Sequence, residues 1–203
     1  MTLPAGTMRE AVIDTEAIAD NVRAFRRRTG VDVIAVVKAD GYGHGAVRAA
    51  QGALDGGATR LGVVDVDEAL ALRRGGIDAP LMAWLHAPGL SFGRAVEAHI
   101  ELGISDLDQL NRAAAAATGD RPARLHLKVE TGLARNGIPP EAQHSVFAEA
   151  ARLERVGRVH VVGIFSHLSN TSPDDDRDAI ARFDESLAVA AASGLTPRVR
   201  HLA

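Results

Sequence analysis

Short apolar runs alternate with longer, alanine-rich amphipathic stretches along this chain, and that alternation limits its fold more than any other feature. The runs recur at intervals of about 20 to 35 residues, the length of a strand–helix–strand unit. Such units place consecutive strands side by side in a parallel sheet that helices cover on both faces. The predicted strands are Val33–Val37, Leu61–Val64, Leu81–Leu85, Ile100–Ile104, Arg124–Val129, Val159–Phe165 and Arg198–Leu202. The predicted helices are Glu16–Arg28, Gly45–Gly56, Val66–Arg74, Gly93–Ala98, Leu107–Ala116, Pro140–Arg155 and Pro173–Ser193.

Two α/β architectures are compatible with this layout. Seven strands with helices between them favour a (β/α)8-type TIM barrel, truncated after about seven strands. A doubly wound open sheet is the alternative, and it should carry a glycine-rich phosphate loop after its first strand. Gly41, Gly43 and Gly45 follow the first predicted strand, but their spacing is G-x-G-x-G and no acid lies at the required distance downstream. We therefore predict the barrel, in which functional groups lie at the carboxyl ends of the strands.

Composition excludes several classes of function. The net charge is −3 with acids and bases interspersed, so no nucleic-acid partner is expected. The absence of cysteine excludes disulfides, thiolate catalysis and zinc–thiolate sites. No apolar run has membrane-spanning length and the first residues lack a signal-peptide layout, so we expect a cytoplasmic protein with no membrane partner. The acids Asp174–Asp176 are interpreted as first-turn acids of a helix, and no metal site is predicted.

The chain has two lysines, Lys38 and Lys128, among 23 basic residues, so arginine is used wherever a positive charge suffices. A lysine amine can lose its proton and attack a carbonyl, which a guanidinium cannot do. Both lysines close apolar runs that are predicted to be strands. This position favours a role that needs an amine, although a bias toward arginine with two chance survivors is the alternative.

Several other reactive side chains are predicted to lie at the same rim as the two lysines. They are Tyr42, Arg135, His167 and His201. An amine that is desolvated beside cationic groups loses its proton more readily and becomes nucleophilic. Such an amine forms a Schiff base with an aldehyde or ketone. From the residues alone, a class I aldolase and a protein that holds pyridoxal phosphate both remain open.

Four segments resemble the motifs of bacterial alanine racemases. Val36–Gly45 is similar to the pyridoxal-phosphate attachment motif of that family, and Lys128–Gly137 is similar to its second motif. Gly163–His167 resembles the third motif, and Arg200–Ala203 resembles the beginning of a fourth. The order and spacing of these motifs agree along the whole chain. The resemblance therefore favours a pyridoxal-phosphate protein over an aldolase.

The resemblance implies a role for each residue of the predicted cofactor site. Lys38 would be the catalytic residue, because it would form the Schiff base with pyridoxal 5'-phosphate and transfer a proton. Tyr42 would donate to the cofactor phosphate. Arg135 would lie beside the phenolate oxygen, and His167 would lie against the pyridine ring.

Other residues would support this site indirectly. In many members of the family the lysine at the position of Lys128 is carbamylated and steadies the arginine at the position of Arg135. His201 would contact the residues that hold the cofactor. The other histidines that we considered, His44, His126 and His160, are assigned structural roles.

The resemblance also implies what lies outside these residues. Residues 15–203 would form the cofactor-binding part of the barrel, and residues 1–14 would form a strand that pairs with a carboxyl-terminal β-domain absent from this chain. In relatives that domain supplies a tyrosine as the second base across a homodimer, whereas Tyr42 is the single tyrosine here.

The expected function is that of an isomerase that interconverts L-alanine and D-alanine, which supplies D-alanine for peptidoglycan. The chain would be the amino-terminal part of such an enzyme, and its substrate would be a small amino acid. A non-catalytic pyridoxal-phosphate-binding protein with the same barrel is the alternative.

Overall fold

The computed structural model describes residues 8–203, and seven strands form one sheet within them. Every neighbouring pair of strands is parallel, and the strand order follows the chain. All seven predicted strands are confirmed, with small differences at their ends. The strands are β1 (Ile34–Val36), β2 (Arg60–Val63), β3 (Leu81–Ala83), β4 (Ile100–Ile104), β5 (Ala123–Lys128), β6 (Val159–Ser166) and β7 (Val199–Leu202).

The seven predicted helices are confirmed as well, and one further helical turn, α2, follows β1. The helical elements are α1 (Thr15–Thr29), α2 (Lys38–Tyr42), α3 (Ala46–Asp55), α4 (Val66–Arg74), α5 (Gly93–Glu97), α6 (Leu107–Ala116), α7 (Pro140–Arg155) and α8 (Pro173–Ala192). No helix within residues 8–203 is long and apolar enough to cross a membrane.

The strand order distinguishes the two predicted architectures. A doubly wound sheet changes direction at a switch point, so its strands are not in chain order. A barrel adds each new strand to the same edge. The consecutive order from β1 to β7 is that of the barrel, and the doubly wound alternative is wrong. Within residues 8–203 the sheet stays open, with β1 and β7 at its two edges.

Side chains of non-adjacent strands meet on one face of the sheet. Arg60 of β2 donates to Glu101 of β4, and His126 Nδ1 of β5 lies 3.0 Å from His201 Nε2 of β7. Strands that are two positions apart in a flat sheet are separated by roughly 10 Å. The sheet therefore curls around this face, which we call the concave face.

The other face of the sheet packs against the helices and forms the apolar core. Fully buried side chains of this face are Leu61, Leu81, Leu102, Ile104, Leu125, Leu127 and Ile164. Each such side chain contributes about 1.5–3 kcal/mol when it leaves water. The helices meet the strands with fully buried alanines such as Ala50, Ala69, Ala113 and Ala150, whose small size allows close approach.

Local capping signals place the helices as the sequence predicts. Gly30 ends α1 in the left-handed conformation with φ of 70°. Ser172 caps α8, Pro173 is its first residue, and the acids Asp174–Asp176 lie in its first turn. Asp65 caps α4 by accepting from the backbone of the first turn, so that helix begins immediately after β2.

The amino-terminal segment is described only in part. Residues 1–7 of the predicted strand segment lie outside the described residues, and residues 8–14 form no strand. The pairing of residues 1–14 with a further domain therefore stays a prediction.

Glycine at position 62 makes room for the chain's one tryptophan on the concave face. A Cβ added to Gly62 would overlap the indole of Trp84, which directly follows the neighbouring strand β3. We expect G62A to lower the free energy of unfolding by about 1–3 kcal/mol, because the indole has to shift in a packed interior. Urea unfolding followed by Trp84 fluorescence measures both the stability and the shift.

G93A is the matched control for this substitution. A Cβ at Gly93 would have one neighbour, Ser91 Oγ at 3.8 Å, so its effect should stay within about 0.5 kcal/mol. Equal stabilities of G62A and G93A would contradict the packing of Trp84 described above.

Candidate active site

The predicted site residues lie along one rim of the sheet. Lys38 follows β1, Lys128 ends β5, and His167 follows β6. Arg135 lies in the loop between β5 and α7, and His201 lies within β7. Because all seven strands are parallel, their carboxyl ends share this rim.

Lys38 opens a left-handed turn. Five successive residues, Ala39–Gly43, have positive φ angles of 51°, 52°, 62°, 56° and 86°. Each residue other than glycine costs roughly 1–2 kcal/mol in this conformation. Glycine at position 41 is also required by packing, because an added Cβ would lie 2.8 Å from Ala49 Cβ. The chain therefore holds an unfavourable backbone conformation directly beside its candidate amine.

The left-handed turn brings Tyr42 beside Lys38. The ring centroid of Tyr42 lies 5.9 Å from Lys38 Nζ, and 61% of the tyrosine is exposed. The turn is also tied to α3, because the Asp40 carboxylate accepts from the backbone N–H of Ala46 at 2.7 Å. The predicted amine and phenol are therefore neighbours, with the phenol accessible to a ligand.

Lys128 is buried at the end of β5. Loss of water around the amine, together with the charge of Arg135, lowers its pKa to about 8, against the opposing effect of Glu130. The amine donates a hydrogen bond to Asn136 Oδ1 and lies 6.0 Å from the ring centroid of Phe165. The Lys128 amine therefore loses its proton at a lower pH than a lysine in water, although it remains mostly charged at neutral pH.

Positive charges from three other parts of the chain affect the pKa of His167. Partial burial lowers the pKa of its imidazole, and the charges of Arg135, Lys128 and Lys38 lower it further. Arg135 itself is exposed, and Lys38 and His167 are half-buried. These four side chains are therefore close enough for their charges to interact, and their roles in a cofactor site stay a prediction.

His201 lies apart from that group in a buried polar chain. Its Nε2 is 3.0 Å from His126 Nδ1, and His126 Nε2 is 2.9 Å from Glu101 Oε2. Arg124 Nη2 donates to Glu101 Oε1 at 2.8 Å, and Arg60 donates to the other carboxylate oxygen. We call Glu101, His126 and His201 the concave-face chain.

The charges within the concave-face chain follow from its surroundings. Burial alone would raise the pKa of Glu101, but hydrogen bonds from His126 and Arg124 and the charge of Arg60 lower it to about 2. Burial lowers the pKa of His201 to about 3, and it also lowers that of His126. At neutral pH the carboxylate is therefore charged and both imidazoles are neutral.

These charges fix the position of each imidazole proton. An ionised carboxylate can only accept, so His126 carries its proton on Nε2 and its lone pair on Nδ1. His201 must then donate from Nε2, which leaves the lone pair of His201 on Nδ1. Gly163 permits this contact, because an added Cβ there would lie 2.5 Å from His126 Nδ1.

Sequence reasoning missed Glu101 and Asn136 and assigned His126 no functional role. The available signal was a charged or polar residue inside a strand, since Glu101 interrupts Ile100–Ile104 and His126 stands between two leucines. A polar residue inside an apolar strand points to the concave face, where charged partners lie. The partner of each residue could not be inferred, because it comes from a different strand.

The gathered cations fit an anionic aldehyde. Lys38, Lys128 and Arg135 supply positive charge near one rim, Tyr42 supplies an accessible hydroxyl, and a lysine amine can form an imine. Pyridoxal phosphate, which combines an aldehyde with a phosphate, suits this set of donors. Within residues 8–203, no three His, Asp or Glu side chains are placed to hold a metal ion.

Two cavities lie beside the rim. One is lined by residues that include Thr131, Leu133 and Arg182, and the lining of the other includes Asp40 and Leu72. Lys38 lines neither cavity.

The fold and the side chains at this rim define a class of protein. A consecutive parallel α/β sheet with an amine, a phenol, an imidazole and a guanidinium at its strand ends is a barrel-type protein with a candidate Schiff-base site.

Comparisons with known sequences agree with this class. The family model described as alanine racemase, N-terminal domain, matches residues 13–203. The chain is 47% identical over 199 residues to the alanine racemase of Salinispora arenicola and 44% identical over 203 residues to that of Mycobacterium tuberculosis. These alignments cover 96% and 97% of the chain but 53% of each relative, so the chain spans about half the length of the curated relatives it matches.

Solved structures give the same result. The alanine racemase of the D-cycloserine producing Streptomyces lavendulae superposes with a TM-score of 0.89 at 38% identity, over 94% of this chain and 51% of that one. The alanine racemase of Streptomyces coelicolor superposes with a TM-score of 0.83 at 40% identity, over 94% of this chain and 52% of that one. The chain belongs to the alanine racemase N-terminal domain family.

The lowered pKa of Lys128 predicts a specific dependence of stability on pH. The unfolded chain keeps this amine protonated up to a pH near 10.5, whereas the folded chain loses the proton near pH 8. Between these values the unfolded state binds more protons, so stability rises with pH. We expect the free energy of unfolding of the parent chain, minus that of K128M, to rise by on the order of 3 kcal/mol across this window. If the free energies of unfolding of the two proteins changed with pH in parallel, the lowered pKa of the Lys128 amine would be contradicted.

The concave-face chain predicts the proton position on His201. In the parent chain, 15N NMR should report a protonated Nε2 and an unprotonated Nδ1 for both His126 and His201. We expect E101Q to abolish this preference and to lower the free energy of unfolding by about 3 kcal/mol, because two arginines lose a buried anionic partner. E97Q, which removes an exposed carboxylate from α5, is the control. An unchanged proton position in E101Q would show that Glu101 does not set it.

Proposed function

We propose that this chain supplies the cofactor-binding half of a pyridoxal-phosphate-dependent alanine racemase, which interconverts L-alanine and D-alanine. The observation that carries the proposal is the gathering of Lys38, Lys128, Arg135 and His167 at the carboxyl rim of a consecutive parallel barrel sheet. The family supports the reaction, because the relatives at 47% and 44% identity are named alanine racemases.

The side chains of the rim have distinct tasks in this proposal. Lys38 would hold the cofactor through its amine and would carry a proton on one face of the substrate. Tyr42 would donate its hydroxyl to the phosphate group, and Arg135 would supply its guanidinium to the phenolate oxygen. When bound, pyridoxal phosphate supplies an electron sink that makes the α-proton of an amino acid acidic. His167, whose pKa is lowered, would contact the pyridine ring as a neutral imidazole.

Lys128 and His201 hold these groups in place. The fold favours the neutral form of the Lys128 amine, which is the form that reacts with carbon dioxide to give a carbamate. A carbamate at this position would exchange a repelling positive charge next to Arg135 for an attracting negative one. His201 would act with its proton on Nε2, the position that Glu101 fixes through His126.

The second face of the substrate needs a proton donor from outside these residues. Tyr42 is the single tyrosine and lies next to Lys38 on the same side. In the family resemblance, the second base is a tyrosine from a carboxyl-terminal β-domain across a homodimer. We therefore propose that efficient racemisation requires that domain and the dimer, in a cytoplasmic enzyme that supplies D-alanine for peptidoglycan.

The attachment site can be tested directly because the chain has two lysines. We expect incubation with pyridoxal phosphate, reduction with borohydride and peptide mapping to place the label on Lys38. Lys128 serves as the internal control, and K38R, which keeps the charge without an equivalent nucleophile, should remove the label. Label on Lys128 or on the amino terminus, with none on Lys38, would refute the assignment of the site.

The same preparation tests the reaction. We expect the 203-residue chain to take up the label and to convert L-alanine to D-alanine poorly, because one proton-transfer group is not enough for both faces. Exchange of the alanine α-hydrogen with solvent deuterium would distinguish a racemase half from a non-catalytic cofactor carrier. Rapid racemisation by this chain would contradict the need for a second base.

A further inference from the structure

Glu68 joins two loops of the carboxyl rim. Its Oε1 accepts a hydrogen bond from the backbone N–H of Ala39 at 2.8 Å, and its Oε2 accepts one from the backbone N–H of Val64 at 2.9 Å. Ala39 begins the left-handed turn after β1, whereas Val64 follows the end of β2. Both carboxylate oxygens are thus used on backbone donors of neighbouring strand–helix units.

The hydrogen bond to Ala39 acts where the backbone conformation is unfavourable. Ala39 is the first of the five residues with positive φ and follows Lys38 directly. Its N–H belongs to the peptide group between Lys38 and Ala39. Fixing the direction of that N–H fixes the plane of the peptide, and with it the direction in which the Lys38 side chain leaves the backbone. Without an acceptor, an alanine is expected to prefer a negative φ.

Glu68 is itself held firmly. It lies in the first turn of α4, and its backbone N–H donates to the capping Asp65 carboxylate at 2.9 Å. The next residue along the helix, Ala69, is fully buried, as is Leu72 one turn further. The carboxylate therefore belongs to a packed helix, and its two hydrogen bonds keep the left-handed turn in a fixed position relative to β2.

We propose that Glu68 is a positioning residue for the candidate active site, because it holds the left-handed turn that aims the Lys38 amine. The role deepens the proposed function and rests on it for the importance of Lys38. The clamp itself, a carboxylate that stabilises the Ala39 conformation, does not depend on any cofactor.

Two substitutions on adjacent positions separate this role from a general effect of charge on α4. E68M removes both acceptor oxygens at a similar side-chain length. D67N removes one negative charge from the same first turn, but Asp67 is exposed and its nearest partner is Arg94 at 3.6 Å. Circular dichroism and thermal unfolding establish that both variants fold.

Amide hydrogen exchange of the cofactor-free chain is the first measurement. We expect E68M to increase the exchange rate at Ala39 about tenfold, because a charge-assisted hydrogen bond to its N–H is lost. D67N should leave this rate unchanged. Unaltered exchange at Ala39 in E68M would overturn the clamp, whatever the outcome with a cofactor.

Imine formation with pyridoxal phosphate is the second measurement. We expect E68M to weaken imine formation at Lys38 about tenfold relative to the parent chain and D67N. The double variant A39G/E68M should recover most of this loss, because glycine adopts positive φ without the steric cost that alanine bears. A merely structural role of Glu68 in α4 predicts no rescue by A39G.

The outcomes separate the inference from the proposed function. Absence of an imine at Lys38 in the parent chain would refute the proposed function, while amide exchange would still decide the clamp. A normal imine at Lys38 in the parent chain and in E68M would overturn the positioning role. If E68M does not fold, A39G in the parent background decides the matter. An exchange rate at residue 39 equal to that of the parent supports the clamp, because the hydrogen bond to Glu68 then still holds the turn. A raised rate contradicts the clamp, because Glu68 alone then does not hold the turn.

Discussion

The arrangement of this protein depends on one constraint, the parallel direction of all seven strands in consecutive order. Each strand therefore delivers the residue at its carboxyl end to a common rim. Lys38, Lys128 and His167 are about 40 or more residues apart in the chain, yet their charges interact there. An antiparallel sheet with the same residues would distribute them over two edges.

The concave face obeys a second requirement, the compensation of a buried charge. Glu101 is 1% exposed, and a carboxylate in such a place is strongly unfavourable without partners. Arg60, Arg124 and His126 supply those partners from β2 and β5. The same arrangement determines which nitrogen of His201 carries a proton.

Much of this architecture could be predicted from the sequence, since apolar runs, glycine caps and helix N-caps act locally. The seven strands and seven helices follow from such signals, and the scarcity of lysine singled out Lys38 and Lys128. The site itself was predicted through a resemblance in four segments rather than through physical reasoning alone.

The remaining features depend on contacts between distant parts of the chain. The left-handed turn after Lys38 contradicts the intrinsic preference of Ala39 and Asp40, so a local reading gives a loop. Glu68 looks in the sequence like an ordinary first-turn acid of a helix. The role of Glu101 appears only when the curl of the sheet brings β2, β4 and β5 together.

We infer that the rim collects positive charge around one amine and thereby holds an anionic aldehyde. The affinities of pyridoxal phosphate and pyridoxal for this chain, measured through imine absorbance at low and high salt, test this inference directly. Pyridoxal phosphate should bind at least about tenfold more tightly, with an advantage that shrinks as salt screens the charges. Equal affinities for the two aldehydes at low salt would contradict it.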